Sequence, residues 1–341
     1  MSSPDEKAPR PTGRPSLTGI LLTVVGLALF AWQVSYVGID QILAGFAAIH
    51  LWGLAGILAL SLTRFILRSA AWVLLMEGRV PLHSALAATL GGDALGNLSF
   101  LSLLVSEPAK ALYVTRHVPA DKALGALTAE NVCYSASVAL VIVAGTATLM
   151  GTFVLSDTWR LAAFGSLGLM LVLVGVFAWL VWHQPALTNK ARQLFARLDH
   201  GRLGQLFTKL RNLEHLTYGA FHVAGWRLWM VAACEVLFHV ASVAEAWLTL
   251  WLLTGDSLLL HAFLLDTVNR VINVVFRAVP LRVGVDEMST SGFAQVIGLA
   301  SSLGVTLALV RKVRLLVWAV VGLAFVGRRA LSSRHGHDSR R

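Results

Sequence analysis

The chain has 341 residues, of which 56% are hydrophobic and 13% charged, with a formal charge of +10. A soluble domain carries about 25% charged residues, so this composition excludes a surface mostly wetted by water. The basic excess falls in the connections between apolar runs rather than in a single patch, which excludes nucleic acid as its reason and points to membrane topology.

Residues 1–16 are polar and contain Pro4, Pro9, Pro11 and Pro15, the composition of a disordered tail. Apolar runs of the length a helix needs to cross a bilayer follow at Leu17–Tyr36, Leu161–Trp182 and Trp226–Leu253, with a shorter one at Leu315–Val326. More polar runs lie at Trp52–Met76, Ser84–Val105, Ala123–Met150, His261–Pro280 and Ser289–Val310. The fold class expected is an all-α polytopic membrane helical bundle of about six to eight spans. The runs 84–105 and 289–310 either cross or turn back. Lys7, Arg10 and Arg14 precede the first run, and the tail 328–341 carries Arg328, Arg329, Arg334, Arg340 and Arg341. The segment 183–225 is also basic, whereas 151–160 and 254–260 are nearly free of basic residues. The positive-inside rule then places both termini in the cytoplasm. One membrane domain, 17–327, is expected, its halves 17–182 and 226–327 joined by 186–217. That joining segment sets Leu187, Leu194, Leu198, Leu206 and Leu210 among basic residues. It reads either as amphipathic helices on the cytoplasmic leaflet, split near Gly201 and Gly204, or as a plain linker.

Polar residues inside apolar runs carry the functional argument, because an ionised side chain at the bilayer centre costs about 2.5–3.5 kcal/mol on insertion scales. At about 100° per residue, Asp266, Asn269, Arg270, Asn273 and Arg277 share one helix face. That stripe is either the wall of a polar cavity or a buried network holding helices together. Pro280 ends the helix and Gly284 permits a turn before Asp286 and Glu287. In the first half, Glu107 is followed by Pro108, a comparable break, with Lys110 three residues on. "NLSFLSLLVSE" (97–107) and "NVVFRAVPLRVGVDE" (273–287) share Asn-x-x-Phe and a terminal carboxylate, at corresponding places in the two halves. Paired, interrupted segments of this kind suggest an inverted internal repeat with a binding site at the repeat interface.

Asp93 lies within Gly92-x-x-x-Gly96, a close-packing pattern, and Glu130 and Asn131 open the next run with Tyr134 a turn on. Arg64 and Arg68 share a face near a membrane end, where snorkelling to head groups is expected. Glu235, His239, Ser242 and Glu245 lie along one helix, Glu245 off the common line, and His239 reads as a packing residue. Arg311, Lys312 and Arg314 are either topology charges or head-group ligands. Cys133 and Cys234 sit in apolar runs without disulfide or metal spacing, so neither a metal nor another cofactor is expected. The chain lacks a Gly-Lys-Ser/Thr phosphate loop, a His-Glu-x-x-His and a Gly-x-Ser-x-Gly elbow, and an enzymatic role is not expected.

The stretch from Asn97 through "SEPAK" to "AEN" resembles an Asn…Gly-Glu-x-x-Arg…Glu-Arg pattern. "VPLRVGVDE" followed by "LALVRKVRLLVWAVVGL" resembles Pro-x-x-x-Gly-x-x-Glu…Arg. Both are motifs of the flippase-like proteins, the lysylphosphatidylglycerol synthase transmembrane region, a family that includes membrane proteins associated with hopanoid biosynthesis. The resemblance spans roughly residues 17–327. It implies a bundle with broken or re-entrant segments that moves or handles lipids. It carries onto Asn97, Glu107 and Lys110, and onto Pro280, Gly284, Glu287 and Arg311. Ser106, Lys110 and Asn131 stand where the pattern has Gly, Arg and Arg, so a shared substrate does not follow; a lysine meets phosphate without a bidentate fork. These 341 residues offer no separate aminoacyl-transfer domain, so lipid aminoacylation is not expected of them. The function expected is transport or binding of a lipid with an anionic or polar head group in a central cavity of the inner membrane. The alternative is a non-catalytic partner of lipid-biosynthesis enzymes. The residues expected to serve the site are Asn97, Glu107, Lys110, Glu130, Asp266, Arg270, Asn273, Arg277, Glu287 and Arg311.

Overall fold

The computed structural model describes residues 49–97, 102–194, 202–276 and 282–338, with the isolated positions Asp40 and Ala47. The expected first span at Leu17–Tyr36, the N-terminal tail, Gly201, Arg277 and Pro280 lie outside the described residues. The described chain is entirely helical, in eleven helices. They are α1 (Leu51–Leu75), α2 (Leu82–Asn97), α3 (Ser102–Tyr113), α4 (Ala120–Thr152), α5 (Asp157–His183), α6 (Leu187–Leu194), α7 (Arg202–Ala224), α8 (Arg227–Thr254), α9 (Leu259–Val275), α10 (Val285–Val296) and α11 (Ser301–Asp338).

Four of these, α1, α4, α5 and α8, are long and apolar enough to cross a membrane. Their ends follow from local chemistry. α1 stops where Glu77 and Gly78 take positive φ, and the Gly78 N–H closes on Val73 O at 2.9 Å. α8 stops at Gly255, φ +79°, whose N–H reaches Trp251 O at 2.8 Å. Pro119 precedes α4, where its missing N–H costs nothing.

The shorter runs are not single helices. The 84–105 run is divided between α2 and α3, of 16 and 12 residues, each short of the roughly 20 needed to cross. The 289–310 run turns at Gly298, φ +80°, between α10 and α11. Pro108 lies inside α3, so the helix does not break at Glu107–Pro108. The joining segment forms two helices, as its amphipathic pattern suggests, with Gly204 inside α7 rather than between them. Glu214 of α7 accepts the N–H groups of Leu187 and Thr188 at 2.6 and 3.0 Å, satisfying the free N-terminus of α6. Tyr218 donates to Pro185 O and His222 bonds Gln184, latching the same corner. Partial burial, and after it the nearby Glu214 carboxylate, push the Tyr218 phenol up from its usual value, so the hydroxyl keeps its proton.

The most extensive helix pairing joins α1 to α8, where Gly53 lets Leu252 press against the α1 backbone. α2 lies between α3 and α11, and α4 carries α5, α7 and α9. One apolar core gathers Trp72, Leu75, Val114, Leu127 and Phe221; a second gathers Leu250, Leu264, Leu265, Phe293 and Ile297. Cys133 and Cys234 are free thiols packed at the margin of the first. On α5, Leu161, Leu169, Val172, Val176 and Trp179 face outward, an apolar strip suited to lipid.

Candidate functional site

α1 is apolar apart from a short polar row. Ser61, Arg64 and Arg68 recur at three and four residues, so they share one face. In hydrocarbon that face must turn inward and find counter-charges, and it does. Arg68 grips Glu130 of α4 with both prongs of its fork, at 2.8 and 2.9 Å, and donates to Asn131 at 3.1 Å. Its guanidinium lies 4.2 Å from the centre of the Tyr134 ring. Arg64 bonds Glu245 of α8 at 3.0 Å and stands over Phe238 at 4.7 Å. Arg314 of α11 takes the other oxygen of Glu245. The expectation that Arg64 and Arg68 snorkel outward is therefore corrected: both turn into the bundle, because Glu130 and Glu245 are there to neutralise them.

Between these helices lies a cavity of about 170 Å³. Its walls bring together Arg64, Arg68, Arg282 and Arg314 with Asp93, Asn97, Tyr134 and Trp318. Trp318 Nε1 and Arg64 Nε are buried donors without a hydrogen-bond partner among the described residues. Sites that engulf a drug-sized ligand measure roughly 300–1,000 Å³. This one is smaller, about 170 Å³. Arginine is the cation whose planar fork matches phosphate and carboxylate.

A second layer supports the wall. Lys110 is only 2% exposed and its Nζ lies 2.7 Å from Asp93 and 3.2 Å from Glu107. Ser106 donates to Asp93, and Asn131 donates to the second Glu107 oxygen at 3.0 Å. Gly92 makes this possible: a Cβ there would stand 3.0 Å from Ser106 O and overlap the Lys110 stem. Glu130, Arg68, Asn131, Glu107, Lys110 and Asp93 thus form one continuous polar chain across α1 to α4.

Of the residues expected from sequence, Asn97 lines the cavity, and Glu107, Lys110 and Glu130 belong to the supporting chain. The α9 stripe is placed elsewhere. Asp266 and Arg270 are a buried pair at 2.6 Å, with Ser242 of α8 donating to Asp266 at 2.7 Å. Asn273 is half-buried further along α9, and neither it nor the pair lines the cavity. Glu287 is fully buried; it accepts the Gly284 N–H at 2.8 Å and meets Lys312 Nζ at 2.6 Å, capping α10. Arg311 donates to Leu265 O at 3.3 Å and lies 3.8 Å from Asp286. Sequence reasoning missed Arg64, Arg68, Glu245, Arg314 and Trp318 as one constellation. The available signal was the imbalance within single spans: arginines without acids on α1, and interior carboxylates on α4 and α8 whose helices carry Lys or Arg only in the first turn, Lys122 and Arg227.

Residues 17–324 match the family described as the lysylphosphatidylglycerol synthase TM region. The chain belongs to this family. As a member, with four helices among the described residues long and apolar enough to cross a membrane, it is a multi-pass membrane protein of a flippase-like family. No curated protein and no solved structure matches it.

Proposed function

We propose that this protein binds and moves a lipid whose anionic head group enters the arginine cavity. The observation that carries this reading is the convergence of Arg64, Arg68, Arg282 and Arg314 on one small space between α1, α2, α8 and α11. Tyr134 and Trp318 add ring edges and a donor suited to a phosphate ester. The acyl chains would remain outside, against the apolar helix faces. The α9 pair, Glu287 and Arg311 brace the second half, and Asn97 completes the wall. In this reading the 97–107 and 273–287 stretches are the paired segments of an inverted repeat. The protein sits in the inner membrane with both termini cytoplasmic, and it is not an enzyme.

The test is lipid movement between leaflets of vesicles containing the purified protein, followed with head-group-labelled lipids of anionic, zwitterionic and cationic charge. Faster movement of an anionic lipid, cut about tenfold or more by Arg68→Gln, is the expected result; a charge-assisted hydrogen bond contributes about 1.5–3 kcal/mol. Movement unchanged across all three classes would refute it. The competing reading is a non-catalytic partner of lipid-biosynthesis enzymes, favoured by the fact that Arg64, Arg68 and Arg314 each already hold a carboxylate. It expects Arg68→Gln to lower stability or assembly while leaving the leaflet exchange rate at the level of protein-free vesicles.

A further inference from the structure

A second polar cluster lies behind the cavity wall and takes no part in the arginine constellation. Ser137 of α4 stands between two titratable side chains of α8. Its Oγ is 3.2 Å from Glu235 Oε2 and 2.9 Å from His239 Nε2. It also donates within reach of Tyr134 O, at 2.8 Å. Glu235 is 3% exposed and His239 is 7% exposed. His239 stands near the midpoint of α8, a 28-residue helix long enough to span the bilayer.

Counting hydrogens decides the state of this cluster. The Ser137 hydroxyl has one proton to give and can accept two. With Glu235 ionised, the buried carboxylate has only that hydroxyl proton to accept at Oε2 and no donor at Oε1, whereas Tyr134 O, inside α4, already accepts within its own helix. With Glu235 carrying a proton on Oε2, every bond closes. Glu235 donates to Ser137, His239 Nε2–H donates to Ser137, and Ser137 donates to Tyr134 O. The remaining buried atoms, Glu235 Oε1 and His239 Nδ1, have no hydrogen-bond partner among the described residues.

No cation among the described residues forms an ion pair with Glu235. The elements packed on α8 bring Arg64 and Arg68 from α1, Arg270 from α9 and Arg314 from α11. Each is engaged by another carboxylate: Glu245 holds Arg64 and Arg314, Glu130 holds Arg68, and Asp266 holds Arg270. The other titratable neighbours add no positive charge: Cys133 and Tyr134 on α4, and Cys234 on α8 itself. On α7, Tyr218 and His222 are tied to Pro185 and Gln184, and His261 of α9 packs on Phe153. An isolated carboxylate inside a membrane bundle takes a proton rather than stay charged.

We propose that Glu235, Ser137 and His239 form a proton-binding site inside the bundle, with the proton carried by Glu235 and stabilised through the Ser137 hydroxyl. Position ties this site to the cavity. Tyr134 stacks on His239, with ring centres 6.4 Å apart, and Phe238 meets both rings edge-on. Arg68 and Arg64 stand over the Tyr134 and Phe238 rings, 4.2 and 4.7 Å from their centres. Gain or loss of the proton therefore changes the charge one aromatic layer behind two cavity arginines. Glu107 and Glu287, by contrast, each hold a lysine.

The proton site stands or falls independently of what enters the cavity. It is tested by infrared spectroscopy of the full chain in lipid nanodiscs, titrated between about pH 5 and 8. The expected result is a protonated-carboxyl band, sensitive to deuterium exchange, that is present in the wild type and lost in Glu235→Gln. Ser137→Ala, which leaves both titratable groups in place, shifts the position of that band by removing its hydrogen-bond acceptor. Coincident spectra of wild type and Glu235→Gln over the whole range overturn the proposal. Should Glu235→Gln fail to fold, a protonated-carboxyl band left unmoved by Ser137→Ala, or no such band in the wild type, overturns it equally.

Discussion

At the level of single residues, the wall of the cavity depends on pairs in which neither partner is replaceable alone. Glu130→Gln leaves Arg68 part-buried and without its bidentate acceptor. Removing one member of a buried pair costs about 3–5 kcal/mol. Arg68 keeps some exposure, with 18% of its side chain accessible, so the lower end applies. Thermal unfolding in detergent, read by tryptophan fluorescence, checks this, and Arg68→Met with Glu130→Met together should recover part of the loss. An equal loss in the double variant would show that the pair does not act as a unit. Glu245→Gln has a divided effect. It frees Arg64 and Arg314 for an anion, so anionic lipid binds more tightly, while stability falls. Titration with a short-chain anionic lipid separates the two effects; weaker binding by a folded Glu245→Gln contradicts the assigned cavity.

At the level of elements, two glycines and one cap carry expectations of their own. Gly92→Ala drives a methyl into the Lys110 stem, displacing its ammonium from Asp93 and Glu107. Overpacking of this kind costs about 1–3 kcal/mol, and Lys110→Ala in the same background should relieve the clash. Gly284 sits at φ +81° ahead of α10, so Gly284→Ala costs about 1–2 kcal/mol by unfolding measurements. Glu214→Ala removes the acceptor for two α6 amides and should speed their hydrogen exchange by about tenfold, since a lost cap costs about 0.5–2 kcal/mol. Unchanged exchange would mean that α6 is held by its apolar face alone.

These elements also mark what could be read from sequence. Two of the plain apolar runs gave α5 and α8 directly, because about 20 apolar residues have few other uses, and two of the more polar runs gave α1 and α4. The helices of 186–217 were expected from its basic amphipathic pattern and their separation from Gly201 and Gly204, of which Gly204 lies inside α7. The polar row of α9 was legible as one face, since helical periodicity is local. The Asp266–Arg270 pair was legible too, from its spacing of four on one helix; the Ser242 partner on another helix was not. Arg64 and Arg68 were visible as a pair, but their direction was not. A short run of charges near a helix end has the same local pattern whether it points to head groups or to Glu130 and Glu245. Pro108 misled for a related reason. Proline removes one donor, and helix α3 tolerates that loss where neighbouring helices hold it in place.

At the level of the whole molecule, the cores and the polar chain divide the labour. Apolar clusters hold α4 against α7 to one side and α8 to α11 against one another on the other. The arginine cavity lies where α1, α2, α8 and α11 meet. Two helices that pair closely, α1 and α8, thus present opposite charges to each other across that space. Leaflet exchange of anionic lipid should therefore depend on Arg64 and Arg68 together, and double substitution should abolish it where single changes reduce it. Additive partial losses that leave exchange in the double variant would point to another path.

Glu245 lies at the join of three helices, with one oxygen for α1 and the other for α11. Two guanidinium groups facing an empty space would repel each other and tend to splay the bundle. A tethered carboxylate occupies the place an incoming anion would take and returns to it once that anion leaves. Loading then becomes an exchange of one negative partner for another, so the loaded and unloaded forms lie close in energy. A carrier that must release its cargo as readily as it takes it up has use for such a stand-in.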